Sequence, residues 1–443
     1  MGVTRISIQI HISRFFLICQ VMIKKLKLDL TFLIKIAMVN ITLLKETPQN
    51  RMNLSVDRTA LLEELMFLSR IIQKKQSNFL LSNILITSEC DETVTLSCSD
   101  GFSTLSTKLR AEFLQPVKFC MSSVKLLDVV RSLDDGTVTL KLKDNNWVNV
   151  RSGKAVLNVP GIDPSRYPTP TEFLAEKSSA ISIAAGVLDD LISKTSFVVP
   201  TSLTHTKYVL NGINFSFTDK TVIAAAVDGN RLAVLSAVLL KHSPEESSFL
   251  LAKESFNDVL KLTRNLSTDT EVKITISQNQ LTFEGGSRLL SCRRLVGTFP
   301  DYKPMFPAGD LINSECNSLL LRNALNRAFS LSDDEGKAVV LAFREGEIEV
   351  QTSGANGNLS EKLYATYTGN EETIALNARY LLEFLRSAPE DAHDRITFKL
   401  TSASRPIELN LSAVNTYRYV VMPRKLPDAA KSSGDKVGQS KNT

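Results

Sequence analysis

The sequence lacks the residues that build most metal and redox sites. Its 443 residues include four histidines, at positions 11, 205, 242 and 393, and six cysteines, at positions 19, 90, 98, 120, 292 and 316, with no Cys-x-x-Cys pair. This scatter offers no metal framework, and reduced thiols in a cytoplasmic protein are expected. Charges interrupt every apolar run before it reaches 18 residues, so no clean transmembrane helix is predicted.

Catalytic motifs are also missing. The chain contains neither a Gly-x-x-x-x-Gly-Lys-Ser/Thr loop nor a Gly-x-Ser-x-Gly elbow. An unrelated enzyme on an α+β scaffold, for instance a nuclease, stays a competing hypothesis, but His, Asp and Glu are not clustered at metal-like spacing. We therefore predict a non-catalytic protein that needs no metal or cofactor.

The net charge of +5 conceals an uneven distribution. Residues 1–51 carry eight Lys and Arg against Asp29 and Glu46, whereas residues 52–443 carry 44 basic and 45 acidic groups. The body of the chain is thus not a basic nucleic-acid binder by bulk charge. Any contact with nucleic acid has to come from the local arrangement of its charges.

The first 51 residues are rich in Ile, Leu, Phe and Lys. Three interpretations are open: translation from an upstream start codon, a basic transit peptide, or a helix that lies on a membrane surface. We favour the first, because Met52 opens a clean segment and nothing before it resembles part of a folded domain.

The remainder of the chain repeats itself. The pattern apolar-x-acid-apolar-apolar-base occurs at 126–131, 256–261 and 381–386, with acids Asp128, Asp258 and Glu383. Each copy is followed by a segment of alternating polar and apolar residues, at 137–142, 271–276 and 395–400, which is typical of a strand with one buried face. An amphipathic helix is predicted at the start of each copy, over 58–72, 183–196 and 318–330. These features indicate three α+β repeats of about 120 residues each.

The repeated pattern ends on a base in each copy: Arg131, Lys261 and Arg386. Acid and base three apart share a helix face, so a solvated ion pair of little consequence is one interpretation. The other is that three domains arranged in an arc present positive charge on one concave surface. Such a surface suits a duplex held loosely, since each neutralised phosphate adds affinity and salt dependence.

Four segments carry a resemblance to a known family. They are Tyr208–Gly212, Val227–Val234, Gly297–Tyr302 and Tyr419–Pro423. In this order and on a threefold repeat, they resemble the beta subunit of bacterial DNA polymerase III, the sliding clamp, over residues 52–426. The boundaries expected from the resemblance and the Pro-rich stretches are 52–172, 173–302 and 303–426, with 1–51 as an extension and 427–443 as a disordered tail.

The resemblance implies a head-to-tail homodimer, in which six similar domains close a ring with helices inside and antiparallel sheets outside. Leu157 and Val159 are then expected to meet Phe329 and Leu331 of a second copy. The residues implied near encircled double-stranded DNA are Lys75, Arg131, Lys207, Tyr208, Lys261 and Arg386.

The family also has a peptide pocket between its second and third domains, which the polymerase III catalytic subunit, the clamp loader and other motif-bearing proteins share. An apolar cleft with a few polar groups suits a short extended peptide, although each residue alone also fits ordinary core or turn chemistry. The matching positions are Leu210, Gly229, Arg231, Leu232, Pro300, Met305, Asn377, Tyr380, Val420, Val421, Met422 and Pro423.

This sequence departs from the family pattern at several of these places. Asn230 stands where His is frequent, Pro304 where a basic residue is common, Met305 where a small aliphatic is common, and Gly336 replaces an aromatic residue. Two functions are therefore kept: a replication clamp that tethers the polymerase, and a clamp-like paralogue with altered partner specificity.

Overall fold

The computed structural model describes residues 53–72, 79–88, 92–143, 145–167, 179–200, 208–241, 247–332, 338–354, 356–387 and 394–425. This part of the chain divides into two compact units. The first comprises the described residues up to 67 together with 83–96 and 109–167, and the second comprises those of 68–82, 97–108 and 168–425.

Three successive segments have the same order of elements: a strand, a helix, four strands, a second helix and three strands. The first segment also has two strands of two residues each. Its elements are β1 Asn53–Asp57, α1 Arg58–Ile72, β2 Asn83–Thr87, β3 Thr93–Ser99, β4 Ser103–Arg110, β5 Glu112–Phe113, β6 Lys118–Ser122, α2 Ser123–Ser132, β7 Thr137–Leu142, β8 Val148–Ser152, β9 Ala155–Val159 and β10 Gly161–Ile162.

The second and third segments follow the same plan. The second consists of β11 Ser179–Ala184, α3 Ala185–Ser193, β12 Gly212–Thr218, β13 Thr221–Val227, β14 Arg231–Val238, β15 Ser247–Ala252, α4 Phe256–Arg264, β16 Glu271–Ile276, β17 Gln280–Gly285 and β18 Arg288–Leu295. The third consists of β19 Ile312–Asn317, α5 Ser318–Leu331, β20 Ala338–Arg344, β21 Glu347–Gly354, β22 Gly357–Thr366, β23 Glu372–Asn377, α6 Ala378–Leu385, β24 Arg395–Leu400, β25 Ile407–Leu411 and β26 Val414–Val421.

Strand pairing repeats along with the element order. In each segment the first strand pairs antiparallel with the strand after the second helix, as β1 with β7, β11 with β16 and β19 with β24. The strands predicted at 137–142, 271–276 and 395–400 are β7, β16 and β24 with the predicted bounds. The α+β fold class and the threefold repeat are confirmed.

The three predicted first helices are confirmed, with both ends of α3 and the last residue of α5 shifted. The helix predicted over 183–196 is α3, Ala185–Ser193. Ile181 and Ile183 instead continue β11, where both are buried opposite β16, because β-branched residues at alternate positions suit a strand. The other two first helices are α1, as predicted, and α5, which extends one residue further. Asn317 starts α5 by accepting a hydrogen bond from the Leu320 amide at 2.9 Å.

Burial follows the amphipathic pattern of these helices. In α5 the buried residues include Leu321, Ala324, Leu325 and Ala328, which recur at helical spacing on one face. Within the described ranges, no helix is long and apolar enough to cross a membrane.

One sheet of the second unit joins the second and third segments. Strand β14 of the second segment pairs with β13 on one side and with β26 of the third on the other. Strand β26 continues the sheet through β25, β24 and β19. Backbone hydrogen bonds therefore cross the junction between the segments, and the candidate site lies on this sheet.

Candidate functional site

The register of β14 against β26 decides which side chains share a face. Leu232 lies opposite Val420, and Val234 lies opposite Arg418. Directly paired residues project to the same side of an antiparallel sheet, and alternate residues project to opposite sides. These four side chains therefore lie on one face, and Arg231 lies on the other.

The first face carries a hydrophobic cluster, which we call the apolar cleft. Its floor consists of the buried residues Ala225, Val227, Leu232, Val234 and Val420. Six partly buried apolar residues pack against this floor: Leu210, Ile223, Phe299, Tyr302, Met305 and Phe306. Phe299 and Tyr302 meet edge to face, with ring centroids 6.2 Å apart. A buried floor with a half-exposed aromatic rim is a surface on which an apolar side chain from outside can be seated.

The opposite face carries a charged junction around Arg231, which is 7% exposed. Its Nε donates to Asp228 Oδ2 at 2.9 Å, its Nη1 donates to Glu383, and its Nη2 donates to the Phe197 carbonyl at 2.9 Å. The guanidinium carbon lies 4.1 Å from the centroid of the Tyr380 ring. Arg231 thus connects the second segment to α6 of the third, and it is charged, hydrogen-bonded and stacked at once.

The electrostatics of this junction keep Arg231 ionised and Tyr380 neutral. Burial acts to lower the pKa of Arg231, but Tyr419 and Glu383 outweigh it, and the pKa lies above its ordinary value. Burial, with the charge of Asp228, raises the pKa of Tyr380, although Arg231 opposes part of this rise. Arg231 therefore stays charged and Tyr380 stays a neutral phenol at neutral pH.

Aromatic packing fixes α6 against the same strands. Tyr419 of β26 stacks on Phe384, with centroids 4.6 Å apart, and donates its hydroxyl to the Tyr380 carbonyl at 3.1 Å. Tyr417 donates to the Lys194 carbonyl at 2.5 Å. The floor of the cleft is thus supported from behind by packed rings with their hydroxyls satisfied.

A turn and the end of β26 border the junction. Gly229 has a φ of +92°, a conformation that favours glycine, and Asp228 Oδ1 accepts the amides of Asn230 and Arg231. The Met422 amide donates to the Asn230 carbonyl at 2.8 Å, and the Arg424 amide to the Ala375 carbonyl at 2.8 Å. The chain after β26 is therefore held beside the turn.

The residues predicted for the pocket fall into three groups. Leu210, Leu232, Met305 and Val420 belong to the apolar cleft, and Pro300 lies half-buried between Phe299 and Tyr302 in the chain. Arg231 and Tyr380 form the charged junction, Val421 is fully buried, and Asn377 caps α6 by accepting the Arg379 amide. Gly229, Met422, which is 37% exposed, and the half-buried Pro423 belong to the turn and the strand end.

Sequence reasoning missed four apolar members of the cleft: Ile223, Phe299, Tyr302 and Phe306. The stretch that carries three of them was interpreted as a domain boundary and as part of the family resemblance, and only Pro300 and Met305 within it were assigned to the pocket. The available signal was the density of aromatic residues there, which is unusual for a solvated linker.

The predicted DNA-facing residues differ in their exposure to solvent. Arg131, in the last turn of α2, and Arg386, at the C-terminal cap of α6, are exposed. The expectation that Lys261 lies on a solvated helix face is wrong, because its Nζ is shielded from solvent. Tyr208 opens a short 3-10 helix, Tyr208–Leu210. Lys75, Lys207 and the variant position Gly336 lie outside the described residues.

The interpretation of the repeated acids as solvated ion-pair partners is also incomplete. Asp128 is exposed, whereas Asp258 is 6% exposed. Glu383 forms its ion pair with Arg231 of β14. The acid of the third copy therefore stabilises the junction.

The predicted dimer residues lie on strand and helix ends. Leu157 is half-buried and Val159 buried in β9, and Phe329 and Leu331 are half-buried at the end of α5. Among the described pairings, β9 bonds only to β8, and the 357–364 part of β22 bonds only to β21. Each strand thus presents one open edge.

The described residues contain no cluster of three or more His, Cys, Asp and Glu side chains that could hold a metal ion. Cys98, Cys120, Cys292 and Cys316 are buried. Burial raises the pKa of Cys120, Cys292 and Cys316 to about 12, so these three are protonated thiols with little nucleophilic character. Cys19 and Cys90 lie outside the described residues.

Fold and site together define a class: a chain of repeated α+β domains with an apolar surface where the second and third segments meet. Comparison with protein-family models identifies the family. The N-terminal, central and C-terminal domains of the DNA polymerase III beta subunit match residues 52–171, 182–301 and 303–425. The chain belongs to the DNA polymerase III beta subunit family.

Curated relatives and solved structures are similar over nearly their whole length. The beta sliding clamps of Rickettsia bellii and Escherichia coli K12 are each 25% identical, over 84% and 85% of this chain and 99% and 100% of their own. The DNA polymerase sliding clamp of Pseudomonas aeruginosa superposes with a TM-score of 0.77 at 24% identity, covering 85% of this chain and 100% of that one. The Bacillus subtilis clamp gives the same values.

Proposed function

We propose that this protein is a sliding clamp, a non-catalytic ring that encircles double-stranded DNA and tethers the replicative polymerase for processive synthesis. The observation that carries the proposal is the succession of the three beta-subunit domains along 52–425, on a chain whose element order repeats three times. We assign the domains to 52–172, 173–302 and 303–426, and we place the protein in the cytoplasm.

Ring closure would use the two open strand edges. Pairing of β9 with β22 of a second copy would satisfy backbone groups on both strands and remove both edges. Leu157 and Val159 would then approach Phe329 and Leu331 of the second copy. Because the two surfaces differ, the contact is head-to-tail, and closure after two copies gives a ring rather than a filament.

The mass of the protein in solution tests this assembly. At micromolar concentration, light scattering should give twice the chain mass of 49.0 kDa. A monomer at that concentration would leave the ring without support.

Contacts with DNA would be few. Among the bases that end the repeated pattern, Arg131 and Arg386 are exposed, and we propose that they face the duplex. A small number of phosphate contacts suits sliding, because every additional contact adds affinity and salt dependence that would hold the protein in place.

The apolar cleft is the proposed docking site for a short extended peptide of the polymerase, the clamp loader and other partners. Its half-exposed rim, with Leu210 and Met305, can seat large apolar side chains. Met422, exposed at the end of β26, is held by the turn at Gly229. This arrangement suits a peptide whose apolar anchor side chain is flanked by backbone hydrogen-bonding groups.

A double substitution, Leu210→Ala with Met422→Ala, tests the cleft. Losing about 2 kcal/mol for each of the two large apolar contacts should weaken a clamp-binding peptide by up to about 1000-fold. Fluorescence anisotropy measures the affinity, and the dimer mass should not change. Unchanged affinity in an intact dimer would remove the cleft from the proposal and favour a clamp-like paralogue with altered partners.

Three departures from the family pattern keep the paralogue as the second candidate. Asn230, which replaces a frequent His, lies in the turn and accepts the Met422 amide through its carbonyl. Pro304 and Met305 also alter the segment that forms the rim. Capture of the polymerase by the immobilised clamp separates the candidates: a replication clamp retains the polymerase catalytic subunit, and a paralogue does not.

A further inference from the structure

A charged group adjoins the apolar cleft on the same face of the sheet. Arg418 lies two residues before Val420 on β26, so both side chains project to the cleft side. The guanidinium carbon of Arg418 lies 3.6 Å from the centroid of the Phe306 ring, and Phe306 packs against the cleft floor. The cleft rim therefore contains a cation in contact with an aromatic face.

Glu408 fixes the position of this cation. Arg418 Nε donates to Glu408 Oε1 at 2.8 Å, and Nη2 donates to Oε2 at 2.7 Å. The Glu408 side chain is 2% exposed. This two-point geometry restricts the rotation of the guanidinium, so little side-chain entropy remains to be lost when a ligand binds.

Glu408 is ionised and shared between two cations. Burial acts to raise its pKa, but hydrogen bonds and charge from Arg418, with the charge of Lys399, lower the pKa below its ordinary value. Lys399 Nζ lies 3.7 Å from Glu408 Oε1. Two cations and one carboxylate leave one net positive charge. Asp301 and Lys303, on the segment that carries Phe306, cancel each other in formal charge.

The donors of Arg418 are only partly used. Glu408 binds two of the five guanidinium N–H groups, and the side chain is 44% exposed. A carboxylate brought to the rim from outside can reach the remaining donors without displacing Glu408.

We propose that Arg418 is a specificity-determining residue of the cleft, which selects partner segments that carry an Asp or Glu beside their apolar anchor. The inference rests on the proposed function of the cleft as a peptide site. The positive charge and the apolar surface are contiguous, so one ligand segment can use both. The selection acts through charge, and it weakens as salt is added.

Matched peptides test the inference. A series shares one apolar clamp-binding motif and carries a single Asp at each position flanking the anchor in turn, with an Asn peptide for each position. At one or more positions, the Asp peptide should bind wild-type dimer about fivefold more tightly than its Asn partner at low salt, and this ratio should shrink at high salt.

Arg418→Gln should reduce that ratio to about one and leave the affinity for the Asn peptide within about twofold. Arg418→Lys should keep part of the preference, because lysine keeps the positive charge but lacks the planar guanidinium that binds a carboxylate at two points. Arg395→Gln is the matched control: Arg395 belongs to the same sheet, forms one ion pair with Glu315 and is 48% exposed, and its loss should leave the ratio unchanged.

A second variant guards against misfolding. Arg418→Gln alone leaves the buried Glu408 with Lys399, so the double variant Arg418→Gln with Glu408→Gln removes both charges and should also bind Asp and Asn peptides equally. A preference for Asp that survives in both variants, or its absence from wild type at every position, would overturn the inference while the peptide site stands. If no peptide binds wild type, the peptide site itself fails and the inference fails with it.

Discussion

The second helices of the three segments share one sequence pattern and differ in what their acids do. Asp128 of α2 is exposed and Asp258 of α4 is buried, while Glu383 of α6 forms an ion pair with Arg231 of another segment. The first apolar position of the pattern is buried in all three helices, as Leu126, Phe256 and Leu381, whereas Val129 and Leu260 are only half-buried. The repeated pattern thus specifies a helix that packs on a sheet. The exposure and pairing of its acid differ from copy to copy.

The largest difference among the copies should appear when Arg231 is removed. Arg231→Met leaves Glu383 and Asp228 without their shared cation, and breaking a buried charged pair of this kind should lower the free energy of unfolding by about 3 kcal/mol. Urea denaturation followed by circular dichroism measures the change. Arg395→Met, which removes one exposed ion pair, should change stability by less than about 1 kcal/mol. Equal effects of the two substitutions would show that the junction does not depend on Arg231.

Neutralising the acids themselves sharpens the comparison between copies. Glu383→Gln keeps the shape and removes the charge that pairs with Arg231, so a loss of about 1–2 kcal/mol is expected. Asp128→Asn, at the equivalent exposed position, should stay within about 0.5 kcal/mol. The same denaturation experiment measures both variants, and a larger loss for Asp128→Asn would reverse our assignment of the structural acid.

The smallest effect on stability is expected from the repeated bases. Arg131→Glu with Arg386→Glu changes two exposed side chains, so unfolding should shift by less than about 0.5 kcal/mol for each. Loading onto DNA should weaken, because two attractive charges become repulsive. A clamp-loading assay at low salt measures this. Normal loading of the double variant would show that these bases do not face the duplex.

Elements set by a local period could be predicted from the sequence. Alternation gave β7, β16 and β24 their bounds, and helical spacing gave α1 and α5 all but one terminal residue. The start of α3 was missed because Ile183 fits a strand as well as a helix, and pairing with β16 favours the strand. Local pattern therefore decides the element type, and tertiary pairing decides its ends.

The candidate site was harder to predict from the sequence, because its residues are distant from one another in the chain. Arg231 meets Glu383 across 152 residues, and Arg418 meets Phe306, which precedes the first strand of the same domain. Periodicity placed Lys261 on a helix face but could not show what covers its ammonium. Family resemblance supplied Leu210 and Met305, while the aromatic rim around them became visible only in the structure.

Retention on DNA of different topology tests the central claim most directly. The protein is loaded onto a closed circular plasmid by its clamp loader, free protein is removed, and the plasmid is then cut once. A ring that encircles the duplex should stay on the closed circle and slide off the linear form. Equal retention on circular and linear DNA would contradict encirclement, and with it the account of this protein as a sliding clamp.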